Sequence, residues 1–439
     1  MSKNNVVMTV AAGGCLQGEV PVPGDKSISH RSVMLGALAE GVTEIQGFLE
    51  GEDPMATLQA FRAMGVRIEG PDQGQVVVHG VGLHGLRQPP RPLYLGNSGT
   101  SMRLLAGVLA AQSFDTTLLG DESLSSRPMR RITEPLAAMG ARIESSDEGT
   151  PPLRIKGGQS LKGIDYEMPV ASAQVKSCLL LAGLYAEGRT CVTEPDPSRD
   201  HTERMLQGFG YPVEREGNRI CLQGGGRLRA MHIMVPGDIS SAAFFMVGAA
   251  IARDSDVLLK NVGINPTRTG VIDILQQMGA DITLENERRA GAEPVADIRV
   301  KGSELHGIEI PVELVPLAID EFPALFVAAA CAEGETVLTG ARELRVKESD
   351  RIQVMADGLN ELGISARPTE DGIVIQGGEL RGGRVDSHGD HRVAMAFAMA
   401  GLRASSPIVI DHCANVKTSF PDFVATAWRL GMNIKETAW

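Results

Sequence analysis

Apolar residues along the chain fall into two recurring patterns. In the first, a short extended segment meets a polar loop, and the loop runs into a stretch of small apolar residues. The instances are VPVPGDKSISHRSVMLGALAEG, LYLGNSGTSMRLLAGVLAA, YEMPVASAQVKSCLLLAGLYAEG, IMVPGDISSAAFFMVGAAIA, LVPLAIDEFPALFVAAACAEG and GRVDSHGDHRVAMAFAMAGL. In the second, a large apolar residue precedes glycine, and an extended apolar segment follows. AMGVRI, AMGARI, GFGYPV, QMGADI, ELGISA and RLGMNI carry it, around Gly65, Gly140, Gly210, Gly279, Gly363 and Gly431. Glycine just past a helix accepts the left-handed backbone that ends it, so each instance predicts helix, stop, strand.

The two patterns alternate in register, at intervals of about 70 residues, longer than common solenoid repeats and suited to whole subdomains. Six units of strand, helix, strand, helix and further strands predict an α/β (α+β) protein with many short strands. Each unit also sets polar residues at a helix start. There the unpaired N–H groups and about half a positive charge attract anions. The loops add cations: Lys26, Arg31, Arg103, Arg127, Arg199, Lys347, Arg351 and Arg392.

Length and charge narrow the reading. The 439 residues suit two or three domains. With 43% hydrophobic but only 4% aromatic residues, the cores must rest on Ala, Val, Ile, Leu and Met. A net charge of −12 argues against a nucleic-acid partner but not against a locally basic site for a small anion. The six cysteines form no C-x-x-C pair and read as reduced thiols. The start is too polar for a secretory signal, and the most apolar stretch, near 242–252, falls far short of the ~20 residues that span a bilayer. A cytoplasmic location with no membrane partner is expected.

Several motifs concentrate chemistry. GDKSISHR puts Lys26 and Ser27 at a helix start with Arg31 one turn on, an anion clamp; the alternative is a capped, solvated helix end. GNSGTSMR lets a ligand approach the backbone at Gly99. SSRPM places Arg127 before Pro128, with proline suited to the first helical position. VASAQVKS offers Ser172 and Gln174, and SRDHTER offers Arg199 with Asp200 as cap. In RVKESDR a helix would set Lys347 and Arg351 on one face, with Glu348 at i, i+3 from Arg351; a charged solvent face is the commoner fate of such runs. Asp320 could be an N-cap or a base. HGDHR holds an H-x-x-H without further His or Cys nearby, so Arg392 is a better ligand candidate than a metal site.

Together GDKSISHR, GNSGTSMR, SRPM, SAQVKS, RDHTE, RVKESDR, DHRVAM and TSFPDF, in this order, resemble the 5-enolpyruvylshikimate-3-phosphate synthase family of enolpyruvyl transferases, from about Gly18 to Phe423. The resemblance implies two globular domains of three βαβαββ units each, residues 20–231 and residues 1–19 with 232–439, and an active site in the interdomain cleft. It implies transfer of the enolpyruvyl group of phosphoenolpyruvate to the 5-hydroxyl of shikimate 3-phosphate by a monomer, without metal or cofactor, inhibited by glyphosate at the phosphoenolpyruvate subsite. Shikimate 3-phosphate would meet Lys26, Ser27, Arg31, Ser172, Gln174, Arg199, Asp320 and Lys347. Phosphoenolpyruvate would meet Lys26, Gly99, Arg127, Gln174, Arg351 and Arg392. Asp320, Glu348 and Lys26 would handle protons. Ala173 stands where some members have serine, with Arg199 as the replacement, and Lys417 is displaced by one residue from a lysine that some members place before the Phe-Pro of the last motif.

Three alternatives bear on function. The UDP-N-acetylglucosamine enolpyruvyl transferases carry a reactive cysteine before their Arg-Pro dipeptide, and GDESLSSRPM has none. A non-catalytic anion-binding repeat scaffold would tolerate loss of Asp320 and Glu348. RNA 3′-phosphate cyclases share βαβαββ units, but the acidic balance counts against them.

Overall fold

The computed structural model describes residues 6–438. Its helices are α1 (Lys26–Leu38), α2 (Glu52–Ala63), α3 (Gly99–Leu109), α4 (Glu122–Ser125), α5 (Arg130–Ala138), α6 (Ala173–Gly183) and α7 (His201–Gly208), then α8 (Ile239–Ile251), α9 (Gly270–Gln277), α10 (Phe322–Cys331), α11 (Arg351–Glu361), α12 (His391–Ala400) and α13 (Phe423–Arg429). Apart from the single turn α4, they come in six pairs. The first member of each pair carries the small apolar run. In α8 and α12 every residue is buried, and in α10 all but Cys331; α8 and α10 are apolar on all sides, whereas α12 opens with His391 and Arg392. The second member buries one face and stops at a glycine. All six signature glycines have positive φ, from 78° at Gly210 to 102° at Gly140, which a Cβ would oppose.

The chain divides into two compact units. One comprises Gly24–Val235 with Ala290–Ala292, and the other Met1–Pro23, Pro236–Arg289 and Glu293–Trp439. Each has its own apolar core and three small sheets. In the second unit α8, α10 and α12 pack on one another; in the first, α3 packs on α6 and α1 on α7. Five of the six sheets share one plan, in which a parallel pair is extended by antiparallel strands; the sixth, of Glu335–Leu338, Ile373–Gln376 and Ser365–Pro368, pairs its strands antiparallel throughout. Glu40–Gln46, for example, lies parallel to His232–Met234 and antiparallel to Gln75–Val81, which pairs with Arg67–Asp72.

Two strands depart from the expected sequential units. Gln17–Pro21, next to α1 in sequence, pairs in parallel with Asp256–Gly263, in the sheet that follows α8. His232–Met234, next to α8, completes the sheet that follows α1. Both segments lead into a Val-Pro-Gly-Asp sequence, at 22–25 and 235–238, so the local pattern is the same and only the partner differs.

The reading of all six cysteines as reduced is corrected. Cys191 and Cys221 form a disulfide, with Cα atoms 4.1 Å apart. They face each other across the antiparallel strands Arg189–Thr193 and Arg219–Gln223, and this register is invisible in sequence spacing. Cys15, Cys178, Cys331 and Cys413 are free thiols. Among the described residues, no helix is long and apolar enough to cross a membrane.

Candidate active site

In the unit built on Gly24–Val235, polar side chains gather at helix starts. Asp25 caps α1 by accepting from the Ile28 N–H at 2.8 Å. Lys26 follows, and its Nζ donates to Asp53 on α2 at 3.0 Å. Arg31 is buried, donating to the Ser27 carbonyl at 2.9 Å, Thr202 Oγ1 at 2.6 Å and Ser177 Oγ at 2.9 Å. It braces the turn that carries Ser27 and ties α1 to α6 and α7.

Ser98 caps α3, accepting from the Ser101 N–H at 3.1 Å, and Gly99 is the first helical residue. A methyl on Gly99 would meet the guanidinium of Arg103 at 3.1 Å and that of Arg127 at 3.2 Å, so the missing side chain is where two cations converge. Arg103 donates to Gln174 Oε1, and Gln174 Nε2 donates to Thr100 Oγ1 at 3.0 Å. These bonds join the starts of α3 and α6, the latter capped by Ser172. Arg127 donates to Asn97 Oδ1 and to Ser123 Oγ at 3.2 Å. Pro128 does not open a helix, because α5 starts at Arg130 after Met129. Arg199 is half-buried in the loop before α7. Asp200 does not cap that helix with its side chain; both of its carboxylate oxygens accept from Arg204 Nε at 2.8 Å.

Beneath these helix starts lies a buried relay. His30 Nδ1 is 2.8 Å from Thr57 Oγ1, which is 2.7 Å from Ser101 Oγ, which donates to Ser98 Oγ at 2.7 Å. Burial holds the His30 imidazole well below its ordinary pKa, and the charges of Lys26 and Arg31 push the same way, so it is neutral.

The other unit arranges charge differently. Lys347 and Arg351 do not share a helix face: Arg342–Val346 is a 3-10 turn, and α11 begins only at Arg351, after the Asp350 cap. A fully buried Arg351 instead organises the cluster. It donates to Asp390 Oδ2 at 2.8 Å, Glu348 Oε2 at 2.6 Å and Asp320 Oδ1 at 3.3 Å. Burial disfavours the guanidinium charge, but Asp390, Glu348 and Asp320 outweigh this and raise its pKa. Burial likewise works against the Asp390 carboxylate, yet Arg351 holds it below the usual carboxylate range.

The three carboxylates differ in access. Asp390 is wholly buried, while the side chains of Asp320 and Glu348 keep 14% and 22% exposure and can reach a ligand. Asp320 is not the N-cap of α10, a position held by Glu321; its carboxylate is 3.5 Å from Lys347 Nζ. Asp390 caps α12 by accepting from the Arg392 N–H at 2.9 Å, and the Arg392 guanidinium donates to the Asp320 carbonyl at 3.0 Å. Lys417 points elsewhere: it is half-exposed and 3.3 Å from Glu436.

The structure thus brings Lys26, Ser27 and Arg31 together at α1, joins Gly99, Arg127, Ser172 and Gln174 through α3 and α6, and gathers Asp320, Lys347, Glu348, Arg351 and Arg392 in the other unit. Sequence reasoning missed Asp53 and Asp390. Asp390 lies inside HGDHR, where an Asp before a helix signals a cap. Nothing local marks Asp53.

A family model described as EPSP synthase (3-phosphoshikimate 1-carboxyvinyltransferase) matches residues 10–426. The chain belongs to the EPSP synthase family. It is 70% identical to a 3-phosphoshikimate 1-carboxyvinyltransferase of Methylococcus capsulatus, covering 99% of this chain and 100% of that one, and 69% identical to one of Nitrosococcus oceani, covering 99% and 98%. The solved EPSP synthase from Acinetobacter baumannii has a TM-score of 0.88 at 63% identity, covering 98% of this chain and 100% of that one. The expected α/β class agrees with these neighbours, and neither the UDP-N-acetylglucosamine transferases nor a non-catalytic scaffold is favoured.

Proposed function

We propose that the two clusters carry out the reaction of the EPSP synthase family on one pair of substrates. The enolpyruvyl group of phosphoenolpyruvate passes to the 5-hydroxyl of shikimate 3-phosphate through a tetrahedral intermediate, with release of phosphate. Both substrates are multiply charged anions, and cations and helix starts must offset their repulsion.

In this reading shikimate 3-phosphate contacts Lys26, Ser27, Arg31, Ser172, Gln174, Arg199, Asp320 and Lys347. Phosphoenolpyruvate contacts Lys26, Gly99, Arg127, Gln174, Arg351 and Arg392. Addition needs a proton on the methylene carbon and loss of one from the hydroxyl. Glu348 gives the first and later takes a methyl proton back as phosphate leaves; Asp320 accepts the second, and Lys26 bridges both substrates. The observation that carries these roles is the shared guanidinium of Arg351. It holds two accessible carboxylates in fixed positions while a third, Asp390, is buried and spent on structure. Orientation and electrostatic stabilisation supply most of the acceleration. The protein acts as a cytoplasmic monomer on small anions, without a metal, a cofactor, or a nucleic-acid or membrane partner.

The test is phosphate release from phosphoenolpyruvate with each acceptor. Turnover is expected with shikimate 3-phosphate, undiminished by chelator, and none with UDP-N-acetylglucosamine. The reverse preference, or chelator-sensitive turnover, overturns the reading.

A further inference from the structure

SAQVKS contains a lysine that the proposed reaction does not use. Lys176 lies on α6 one turn after Ser172, and its side chain is completely buried. Its Nζ is 2.8 Å from Glu194 Oε1 and 2.8 Å from Glu203 Oε1, and it reaches the Ser198 carbonyl at 3.4 Å. The Glu203 contact is one of charge, since its oxygens lack an aligned hydrogen bond. Glu194 in turn accepts from both the N–H and the hydroxyl of Ser198.

One buried cation therefore clamps three pieces of chain: the start of α6, the loop ending at Ser198 and the first turn of α7. Arg199 is the next residue after the clamped Ser198. A second tether runs alongside, because Thr202 on α7 receives Arg31 Nε and lies 2.7 Å from Ser177 Oγ. Burying a lysine with two carboxylates is costly unless the geometry is well satisfied, and an apolar trio of like volume would fold as well or better. Stability alone gives little reason for it.

The geometry points to Lys176 as a positioning residue for the phosphate of shikimate 3-phosphate: with Glu194 and Glu203 it fixes the distance between Ser172 and Arg199. This rests on the assignment of those two residues to the phosphate subsite above. Lys176 touches no substrate, so its loss should act on one substrate only.

The experiment measures steady-state kinetics for both substrates in the wild type, Lys176→Met, and the triple variant Lys176→Met, Glu194→Gln, Glu203→Gln, which removes all three charges and leaves no carboxylate stranded. KM for shikimate 3-phosphate is expected to rise about 10-fold or more in whichever variant folds, with KM for phosphoenolpyruvate and kcat within about 3-fold. Should neither fold, isosteric Glu203→Gln carries the test, with a smaller rise confined to the same KM. An unchanged KM for shikimate 3-phosphate, equal rises for both substrates, or a fall in kcat alone overturns the proposal. Wild-type turnover with shikimate 3-phosphate is the control. Its absence removes the functional reading itself, whereas its presence with an unmoved KM removes only the role of Lys176.

Discussion

The two units share an aspartate cap on their Val-Pro-Gly-Asp helices, α1 and α8, but differ at their other helix starts. In the unit built on Gly24–Val235, α3 and α6 are capped by the hydroxyls of Ser98 and Ser172, while α1 keeps a carboxylate cap, Asp25. In the other, α8, α11 and α12 are capped by the carboxylates of Asp238, Asp350 and Asp390. A carboxylate cap cancels much of a helix's positive end, whereas a hydroxyl leaves it available to a ligand. Each of the three aspartates is also held by an arginine: Arg268 at 3.1 Å, Arg345 at 2.6 Å and Arg351 at 2.8 Å, respectively. At α3 and α6 the first unit therefore presents uncancelled positive potential suited to holding anions. The other is internally compensated and presents carboxylates suited to moving protons. A shared repeat fixes where helices start, and cap chemistry decides what those starts do.

The largest expected effect comes from breaking the compensation. Arg351→Met leaves the wholly buried Asp390 without its guanidinium and should cost about 3–5 kcal/mol by denaturant unfolding. Ser172→Ala removes only a neutral cap and should cost about 1 kcal/mol. Equal losses would erase the contrast.

Next come the accessible carboxylates. Glu348→Gln and Asp320→Asn should each lower kcat by ~10²-fold or more, with much smaller changes in substrate binding. Either variant turning over at a near-normal rate would return that residue to the structural side of the comparison.

Gly99→Ala probes the uncancelled side. Its methyl must displace the guanidinium ends of Arg103 and Arg127 by a few tenths of an ångström. Overpacking of this kind costs ~1–3 kcal/mol, or roughly 5- to 150-fold in affinity. Glyphosate, longer than phosphoenolpyruvate, should lose more. Inhibition of the two enzymes at matched substrate saturation tests this, and equal weakening of both ligands moves Gly99 away from that wall.

The smallest effect is a pH dependence. His30 is neutral in the fold because its pKa is lowered. Its contribution is fully present above the unfolded value of about 6.5 and is lost as pH falls through that value toward the folded one. Tm measured between pH 7.5 and 5 should show wild type and His30→Gln drawing closer as pH falls; a constant gap removes His30 from the titration.

Much of this was legible in the sequence because it is local. The six glycine stops and six small-residue helices repeat within the chain, and a helix start needs only its own few residues to be recognised. What was hidden is non-local. Asp53 lies 27 residues from Lys26, and Asp390 lies 39 from Arg351. The register that faces Cys191 with Cys221 has no spacing rule. RVKESDR misled because its charge pattern fits a helix, whereas Asp350, as cap, starts the helix at Arg351 and leaves Lys347 and Glu348 in a loop, where they can reach Asp320 and Arg351.

The exchange of Gln17–Pro21 with His232–Met234 has a consequence for synthesis. A ribosome emits the amino-terminal strands of one unit first, yet the sheet of Gln17–Pro21 waits for Asp256–Gly263, and that of Val6–Val10 for Ile408–Asp411 and Ile434–Ala438. The unit started second closes first, once His232–Met234 has emerged, while Gln17–Pro21 remains unpaired until Asp256–Gly263 is made and Val6–Val10 until Ile408–Asp411 and Ile434–Ala438 are made. In the finished fold Val6 stands opposite Ala438, so the first and last described strands are neighbours. Joined there and opened before Gly24, the same sequence would encode its two units one after the other, each able to fold as soon as it is translated.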